Sequence, residues 1–269
     1  MEINNGEMKK KYALVTGASG GIGKELAIQF AKNGYDLVLI SRRKKVLQNL
    51  ADELYKLFGT ESEIIEKDLE ETNSAKEVVQ LLSRKKISIK VLVNNAGFGT
   101  FGEFTESDFE TNSKMVQLNI TTLINLTHLI LPSMLEKKEG KILNVASMAA
   151  FQPGPFMAIY YATKSFVLSF SESLSSELKG RGITVTALCP GPVPTGFQER
   201  AGANKAMMMN SVLTKSAEFV AKCGYFGLIK GRRVVIPGMI NKLLIGLENI
   251  IPNSILINIV KNLMHKRKN

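Results

Sequence analysis

Histidine and cysteine are both scarce in this chain, with two of each among 269 residues. Cys189 and Cys223 lack metal-ligand spacing, and a lone disulfide would be unusual without an export signal, so no metal site and no disulfide are expected. Residues 1–11 are polar and charged and lack the apolar run of a signal peptide. These absences predict a cytoplasmic protein. Also missing are a composition break, a Ser/Gly linker and an internal repeat, which argues for one large domain followed by a tail. Acidic residues are outnumbered, 24 against 35 Lys and Arg, and the resulting net charge of +11 favours anionic ligands, anionic carrier proteins or a membrane surface. The charge is dispersed except at Lys9-Lys10-Lys11, Arg42-Arg43-Lys44-Lys45 and His265-Lys266-Arg267-Lys268, and no recognition motif accompanies it. Nucleic acid is therefore not expected as a partner.

What the chain does contain is ample apolar sequence, 45% hydrophobic against 22% charged, the balance of a soluble globular protein with a sizeable core. Short apolar runs at Tyr12–Thr16, Asp36–Ile40, Glu61–Glu66, Val91–Val93, Lys141–Val145 and Thr184–Leu188 read as strands. Helical patterns fall between them at Ile22–Asn33, Lys44–Phe58, Phe109–Leu135 and Ile159–Leu178. Alternation of this kind, with strands apolar almost throughout, predicts a doubly wound α/β domain whose parallel sheet carries helices on both faces.

Thr16-Gly17-Ala18-Ser19-Gly20-Gly21-Ile22-Gly23 lies where the first strand turns into the first helix. Gly17 permits the tight turn, Gly21 lets backbone approach a pyrophosphate, Gly23 allows close helix packing, and the helix N-terminus offers positive potential. About twenty residues on, where an Asp or Glu would read the 2′-hydroxyl of NAD, the chain has Ser41-Arg42-Arg43. Guanidinium groups bind phosphate bidentately, so NADP(H) is favoured over NAD with Arg42 as its contact, while Arg43, Lys44 and Lys45 read as a solvated helix start. The same letters satisfy Gly-x-Ser-x-Gly, the elbow of serine hydrolases. Only His128, in a helix, and His265, in the tail, are available as a base, and no Gly-rich oxyanion segment precedes the motif.

Further on, Tyr160 and Lys164 share one helix face at i, i+4 spacing, with Ser147 upstream near a strand end. An ammonium beside a phenol stabilises the phenolate, so Lys164 is expected to lower the pKa of Tyr160, while Ser147 holds a substrate oxygen within reach. Tyr161 lacks the spacing and reads as packing.

Together these residues resemble the short-chain dehydrogenase/reductase family over roughly the first two hundred residues. The resemblance implies a Rossmann-type fold, NAD(P)-dependent oxidation and reduction, and homodimers or homotetramers assembled through long helices. It implies a cofactor site comprising Gly17, Ser19, Gly21, Ile22 and Gly23 of the loop, Asp68 and Leu69 at the adenine, and Asn94, Ala96 and Gly97 after the fourth strand. Pro190, Gly191, Val193 and Thr195 would contact the nicotinamide end. Ser147, Tyr160 and Lys164 match the family's catalytic trio and Asn119 its fourth member, Lys164 also binding the nicotinamide ribose and Asn119 holding a proton-relaying water. As an asparagine in an apolar helical stretch, Asn119 equally reads as a cap or kink.

Substrate choice is expected from a loop at about 192–215 and from the tail, taking 1–236 as the NADP-binding catalytic domain and 237–269 as an amphipathic basic extension. Met207-Met208-Met209 reads as soft packing or as a flexible lid over a lipid-like or steroid-like substrate. The tail loosely resembles C-termini in family members that reduce ketones, fatty-acyl derivatives and steroids, which favours an apolar ketone over a carrier-bound 3-oxoacyl group. Its longest uncharged run is too short to span a bilayer. It reads either as a helix packed on the domain or a partner subunit, or as a peripheral membrane contact through Leu256, Ile259 and Leu263 with Lys261, Lys266 and Arg267. A reading from another class is an NADP-binding regulator without turnover.

Overall fold

The structure is a computed structural model that describes residues 3–4, 7–8, 10–197, 213–248 and 251–265. Seven strands form one parallel sheet: β1 (Tyr12–Thr16), β2 (Asp36–Ser41), β3 (Ser62–Glu66), β4 (Ile89–Asn94), β5 (Gly140–Val145), β6 (Ile183–Leu188) and β7 (Val234–Val235), in the order β3-β2-β1-β4-β5-β6-β7. A two-residue antiparallel pair, Ile3–Asn4 with Glu7–Met8, precedes it.

The period-2 geometry of a strand explains why these runs are apolar throughout, since alternate residues serve opposite faces and both faces are covered. Ala13, Val15, Leu37, Leu39, Val91 and Val93 point to one side, where α1 (Gly21–Lys32), α2 (Lys44–Phe58) and a later helix, Ala217–Ile229, pack. Leu14, Val38, Ile40, Leu92 and Ile142 point to the other, against α3 (Ser74–Arg84) and the long helical segment that follows β4. After β3 the chain returns to the opposite side of β1 to lay down β4. That reversal opens a crevice beyond the C-terminal ends of β1 and β4, where doubly wound sheets bind ligands.

Between Phe109 and Glu136 the chain forms one continuous helical rod: α4 (Phe109–Val116), a π-helical stretch (Gln117–Thr122) and α5 (Leu123–Glu136). Its 28 residues include an 18-residue window with a mean hydropathy of 1.3, enough by length and composition for a membrane span. Met115, Leu118, Leu126, Ile130 and Met134 instead bury that apolarity on the sheet. α6 (Ala158–Glu177) follows β5.

Three elements were not anticipated: α3, the helix Ala217–Ile229 (α7) and β7. In α7, Gly224 and Gly227 lower helix propensity, but a Cβ at Gly224 would lie 2.8 Å from Leu188 Cδ2 and one at Gly227 2.2 Å from Val235 Cγ2. They are glycine because the helix lies directly on the sheet.

The tail forms α8 (Met239–Glu248) and α9 (Asn253–His265). Leu256, Val260 and Met264, spaced four apart, are buried against Ala149, Met157 and Tyr161. Of the two readings of the tail, the membrane contact through Leu256 is corrected: Leu256 packs on the domain, whereas Ile259 is exposed. Met207, Met208, Met209, Lys266 and Arg267 lie outside the described residues, as does the side chain of Leu263.

Phe30 on α1 is fully buried and meets Tyr35 and Tyr225 edge to face at 5.4 and 5.3 Å, tying α1 to α7. Phe30→Ala is expected to cost about 3–5 kcal/mol, read as a lower midpoint in urea unfolding with an unchanged slope.

Candidate active site

At the end of β1 the chain folds back so that the Gly17 and Ala18 N–H groups donate to Ile40 O at 2.9 and 3.3 Å. Gly17 and Gly21 adopt φ of +67° and +54°, backbone that L side chains rarely accept. A Cβ on Gly23 would fall 2.3 Å from Gly17 O. The N-cap of α1, Gly20, makes no side-chain capping bond, which leaves first-turn N–H groups available beside the crevice. Bare backbone donors at a positive helix end form a cradle that fits a dinucleotide pyrophosphate.

The cradle is held to the neighbouring strand by Thr16, whose hydroxyl accepts from Asn95 N and Ala96 N at 2.9 and 3.0 Å and donates to Val93 O at 3.2 Å. The Asn95 amide returns a bond to Thr16 O at 2.9 Å. Asn95, Ala96 and Gly97 line the cavity. Asn94 does not, which corrects its expected place at the cofactor. It is buried, and its amide donates to Thr127 Oγ1 at 3.1 Å and Asn144 Oδ1 at 2.9 Å. Adjacent strand residues face opposite sides, so only one of the two asparagines can reach the crevice.

The arginines divide the work differently from the sequence expectation. Arg42 reaches Glu70 Oε1 at 3.2 Å and Asp68 Oδ2 at 3.5 Å. Arg43, expected to be merely solvated, crosses to the glycine loop and donates from Nη2 to Ser19 O at 2.9 Å and from Nη2 and Nε to Ser19 Oγ at 3.0 and 3.2 Å. These bonds also dispose of the hydrolase reading. The Ser19 hydroxyl is held by a guanidinium, which offers no base, and His128 lies exposed on α5. Only the fold brings Arg43 to Ser19, 24 residues away.

Beyond β6, Pro190 O accepts from Met148 N at 2.9 Å, and Thr195 comes over Gly21, its Cγ2 2.9 Å from where a Cβ would be. Ile22, Asp68, Leu69, Gly191 and Val193 also line the cavity.

Ser147 follows β5 and caps a short 3-10 turn, Met148–Phe151, its Oγ accepting from Ala149 N at 3.1 Å. One turn apart on α6, Tyr160 and Lys164 face the same cavity. Enclosure pushes the Tyr160 hydroxyl up to about 12, a shift only partly opposed by the neighbouring Ser147 hydroxyl. Lys164 is buried, which pushes its amine down to about 8. Its Nζ donates to Val145 O at 2.8 Å and lies 5.8 Å from the Tyr160 ring centre. The net shift of the phenol is upward, where Lys164 was expected to lower it, because desolvation is its largest cause. Tyr161 packs under α9 as expected.

Asn119 sits in the π-helical stretch. Its amide closes a bracket: Oδ1 accepts from Phe98 N at 3.1 Å, and Nδ2 donates to Phe98 O at 2.9 Å and Thr163 Oγ1 at 3.1 Å. Thr163 in turn donates to Tyr160 O at 2.7 Å. The irregular turn thus ties the loop after β4 to the helix that carries the phenol, a frequent use of π segments at sites.

One cavity of about 1010 Å³ runs from the glycine loop past Ser147, Tyr160 and Lys164 to an apolar chamber. Phe197, Leu244, Leu247, Ile251 and Ile259 wall that end. Its far wall comes from the tail, whose two helices close over the phenol.

This fold and site define a dinucleotide-binding α/β protein with a tyrosine and a lysine in the wall of its cavity. Residues 11–206 match the family described as short chain dehydrogenase, and the chain belongs to that family. It is 38% identical to a very-long-chain 3-oxoacyl-CoA reductase of Anas platyrhynchos over 68% of this chain and 60% of that protein. It is 33% identical to a 17-beta-hydroxysteroid dehydrogenase type 3 of Mus musculus over 78% of this chain and 67% of that one. The duck match therefore spans well under two thirds of its relative's length. Among solved structures, a short-chain dehydrogenase from Sphingobium yanoikuyae in complex with NADPH superposes with a TM-score of 0.79 at 31% identity, covering 91% of this chain and 97% of that one.

The two arginines are separable by titration with NADPH and NADH. Arg42→Ala is expected to weaken NADPH about tenfold or more while leaving NADH within about threefold, the signature of a lost phosphate contact. Arg43→Ala, which releases Ser19 and the glycine loop, is expected to weaken both nucleotides.

Proposed function

We propose that the protein is an NADP(H)-dependent oxidoreductase that interconverts an apolar carbonyl compound, a ketone, steroid-like or acyl-type substrate, with its secondary alcohol. The observation that carries this reading is that Ser147, Tyr160 and Lys164 line one cavity where the glycine-loop crevice meets an apolar chamber. When bound, NADPH supplies the hydride that reduces the carbonyl carbon. The chain's own residues deal with the oxygen. With its pKa pushed up to about 12, the Tyr160 hydroxyl holds its proton at neutral pH and can give it to that oxygen, while Ser147 donates a hydrogen bond to the same atom. Lys164, charged below about pH 8, stabilises the phenolate left behind. In the oxidative direction the phenol must lose its proton first.

Apolar walls support a hydrophobic substrate, and the similarity to proteins named for 3-oxoacyl-CoA reduction and 17-beta-hydroxysteroid oxidation points the same way. NADP(H) is supported by the guanidinium groups of Arg42 and Arg43 at the end of β2. In this reading residues 1–236 form the catalytic domain and 237–269 an extension that walls its chamber. The free thiols of Cys189 and Cys223 suit a reducing, cytoplasmic setting. Leu129 on α5 and Phe166 on α6, both exposed, are the apolar contacts offered for a homodimer or homotetramer through the long helices.

Tyr160→Phe is expected to lower ketone reduction by about a thousandfold or more with NADPH affinity retained, because only the transferable proton is removed. Retention of biological function in that variant would instead favour a nucleotide-binding regulator. In pH profiles, reduction should hold level up to about pH 8 and fall above it as Lys164 loses its charge, while alcohol oxidation rises into the alkaline range. A reductive rate that climbs above pH 8 would contradict the assigned roles.

A further inference from the structure

Away from the cavity, α7 and α8 leave an apolar face bordered by cations. On α7 the residues Phe219, Lys222, Cys223, Phe226 and Lys230 recur at three- and four-residue spacing and share one stripe. The opposite stripe, with Val220, Ala221, Tyr225 and Leu228, is buried on the sheet and α1. Phe219 and Phe226 are 42% and 48% exposed. With Met239 and Val235 they line a groove of about 440 Å³, to which Lys222, Lys230, Arg232 and Lys242 also contribute and, among the described residues, no acidic one does.

α8 joins this groove to the active-site cavity. Met239 and Lys242 line the groove, whereas Leu244 and Leu247, one to two turns further along, line the cavity. Met239, Leu243 and Leu247 form an outward stripe at i, i+4 and i+8, 81%, 66% and 57% exposed. It runs about 12 Å along the helix.

Aromatic and aliphatic side chains that protrude from a rim of Lys and Arg match one surface chemistry in both respects, acyl chains beneath anionic headgroups. The net charge of +11 attracts the whole molecule to such a surface. A second copy in a symmetric pairing would set Lys222, Lys230, Arg232 and Lys242 near their own counterparts, where like charges repel. We infer that the α7 and α8 face docks on an anionic lipid bilayer, and that the α8 stripe leads an apolar substrate from the bilayer into the cavity. The delivery half rests on the proposed oxidoreductase reading; the docking half does not.

The test is co-sedimentation of the full chain with vesicles of phosphatidylcholine alone or with about 30% phosphatidylserine, at low and physiological salt, compared with K222E/K230E and with F226S. Thermal unfolding confirms that each variant is folded, light scattering gives its oligomeric state, and NADPH oxidation with a water-soluble ketone follows the chemistry. The expected result is binding to the anionic vesicles only, weakened by salt and reduced about tenfold or more in K222E/K230E and in F226S, with soluble-ketone turnover unchanged. Docking is overturned by wild-type binding that ignores lipid charge, by no binding, or by variants that bind as well as wild type. It is also overturned by a wild-type dimer that F226S converts to monomer, since a second copy would then cover the face, or by failure on vesicles alongside charge-dependent capture of an acidic acyl-carrier protein. Vesicle binding as expected without turnover of any ketone would leave docking intact and overturn the oxidoreductase reading instead.

Discussion

Enclosure of Tyr160 and Lys164, the amine buried and the phenol half-buried in the cavity wall, is the constraint around which the rest of the molecule is arranged. In solution a phenol titrates near 10 and a lysine near 10.4; in the cavity burial drives them in opposite directions, to about 12 and about 8. The enclosure that does this is assembled from distant parts of the chain. Ser147, just after β5, lines the cavity beside the phenol, the π-helical Asn119 braces Thr163 and the loop after β4, and Val145 O accepts from Lys164 Nζ. α9 then closes over Tyr161 from the C-terminal side. A helix face with a tyrosine and a lysine becomes part of a cavity wall only because four other segments surround it.

The same logic joins the two ends of the cavity. Thr16 ties the strand that begins the glycine loop to the strand that leads toward Asn119, so the crevice for a nucleotide and the floor beneath the phenol are one rigid unit. The glycines contribute by absence of bulk. A side chain at Gly23 would collide with Gly17 O, and one at Gly99 would meet the Tyr160 ring at 2.8 Å. The apolar chamber is the other half, and it is supplied largely by α8 and α9, beyond residues 11–206 that match the family. Chemistry and specificity are thus built from different stretches of sequence.

How far the sequence could be read follows from the range of each signal. Strand and helix periodicities are local, and so is the i, i+4 relation of Tyr160 and Lys164, which is why the parallel sheet and that face of α6 were legible. The glycine loop was legible because its strand and helix lie on either side of it. Arg43 was not, since its partner Ser19 is brought near only by the pairing of β1 with β2. Choosing Asn95 over Asn94 required the register of β4, and one residue of error exchanges a cavity side chain for a core one. α7 carries two glycines whose purpose is close packing, and β7 is two residues long, so neither announces itself by propensity or pattern. The inward turn of Leu256 depends on Met157 and Tyr161, about a hundred residues earlier, and on no property of the tail itself. The shift of the Tyr160 phenol also escaped, because spacing gives the distance to a charge but not the loss of solvent around it.

The most direct measurement of the central claim is transfer of label. The purified protein would be incubated with an apolar ketone and NADPH carrying deuterium at C4, one C4 face at a time, and the product examined by mass spectrometry and NMR. One deuterium at the carbinol carbon, delivered from one face only and lost with Tyr160→Phe, is the expected result. A protein that binds NADPH yet moves no deuterium to any apolar carbonyl would contradict hydride transfer as its function.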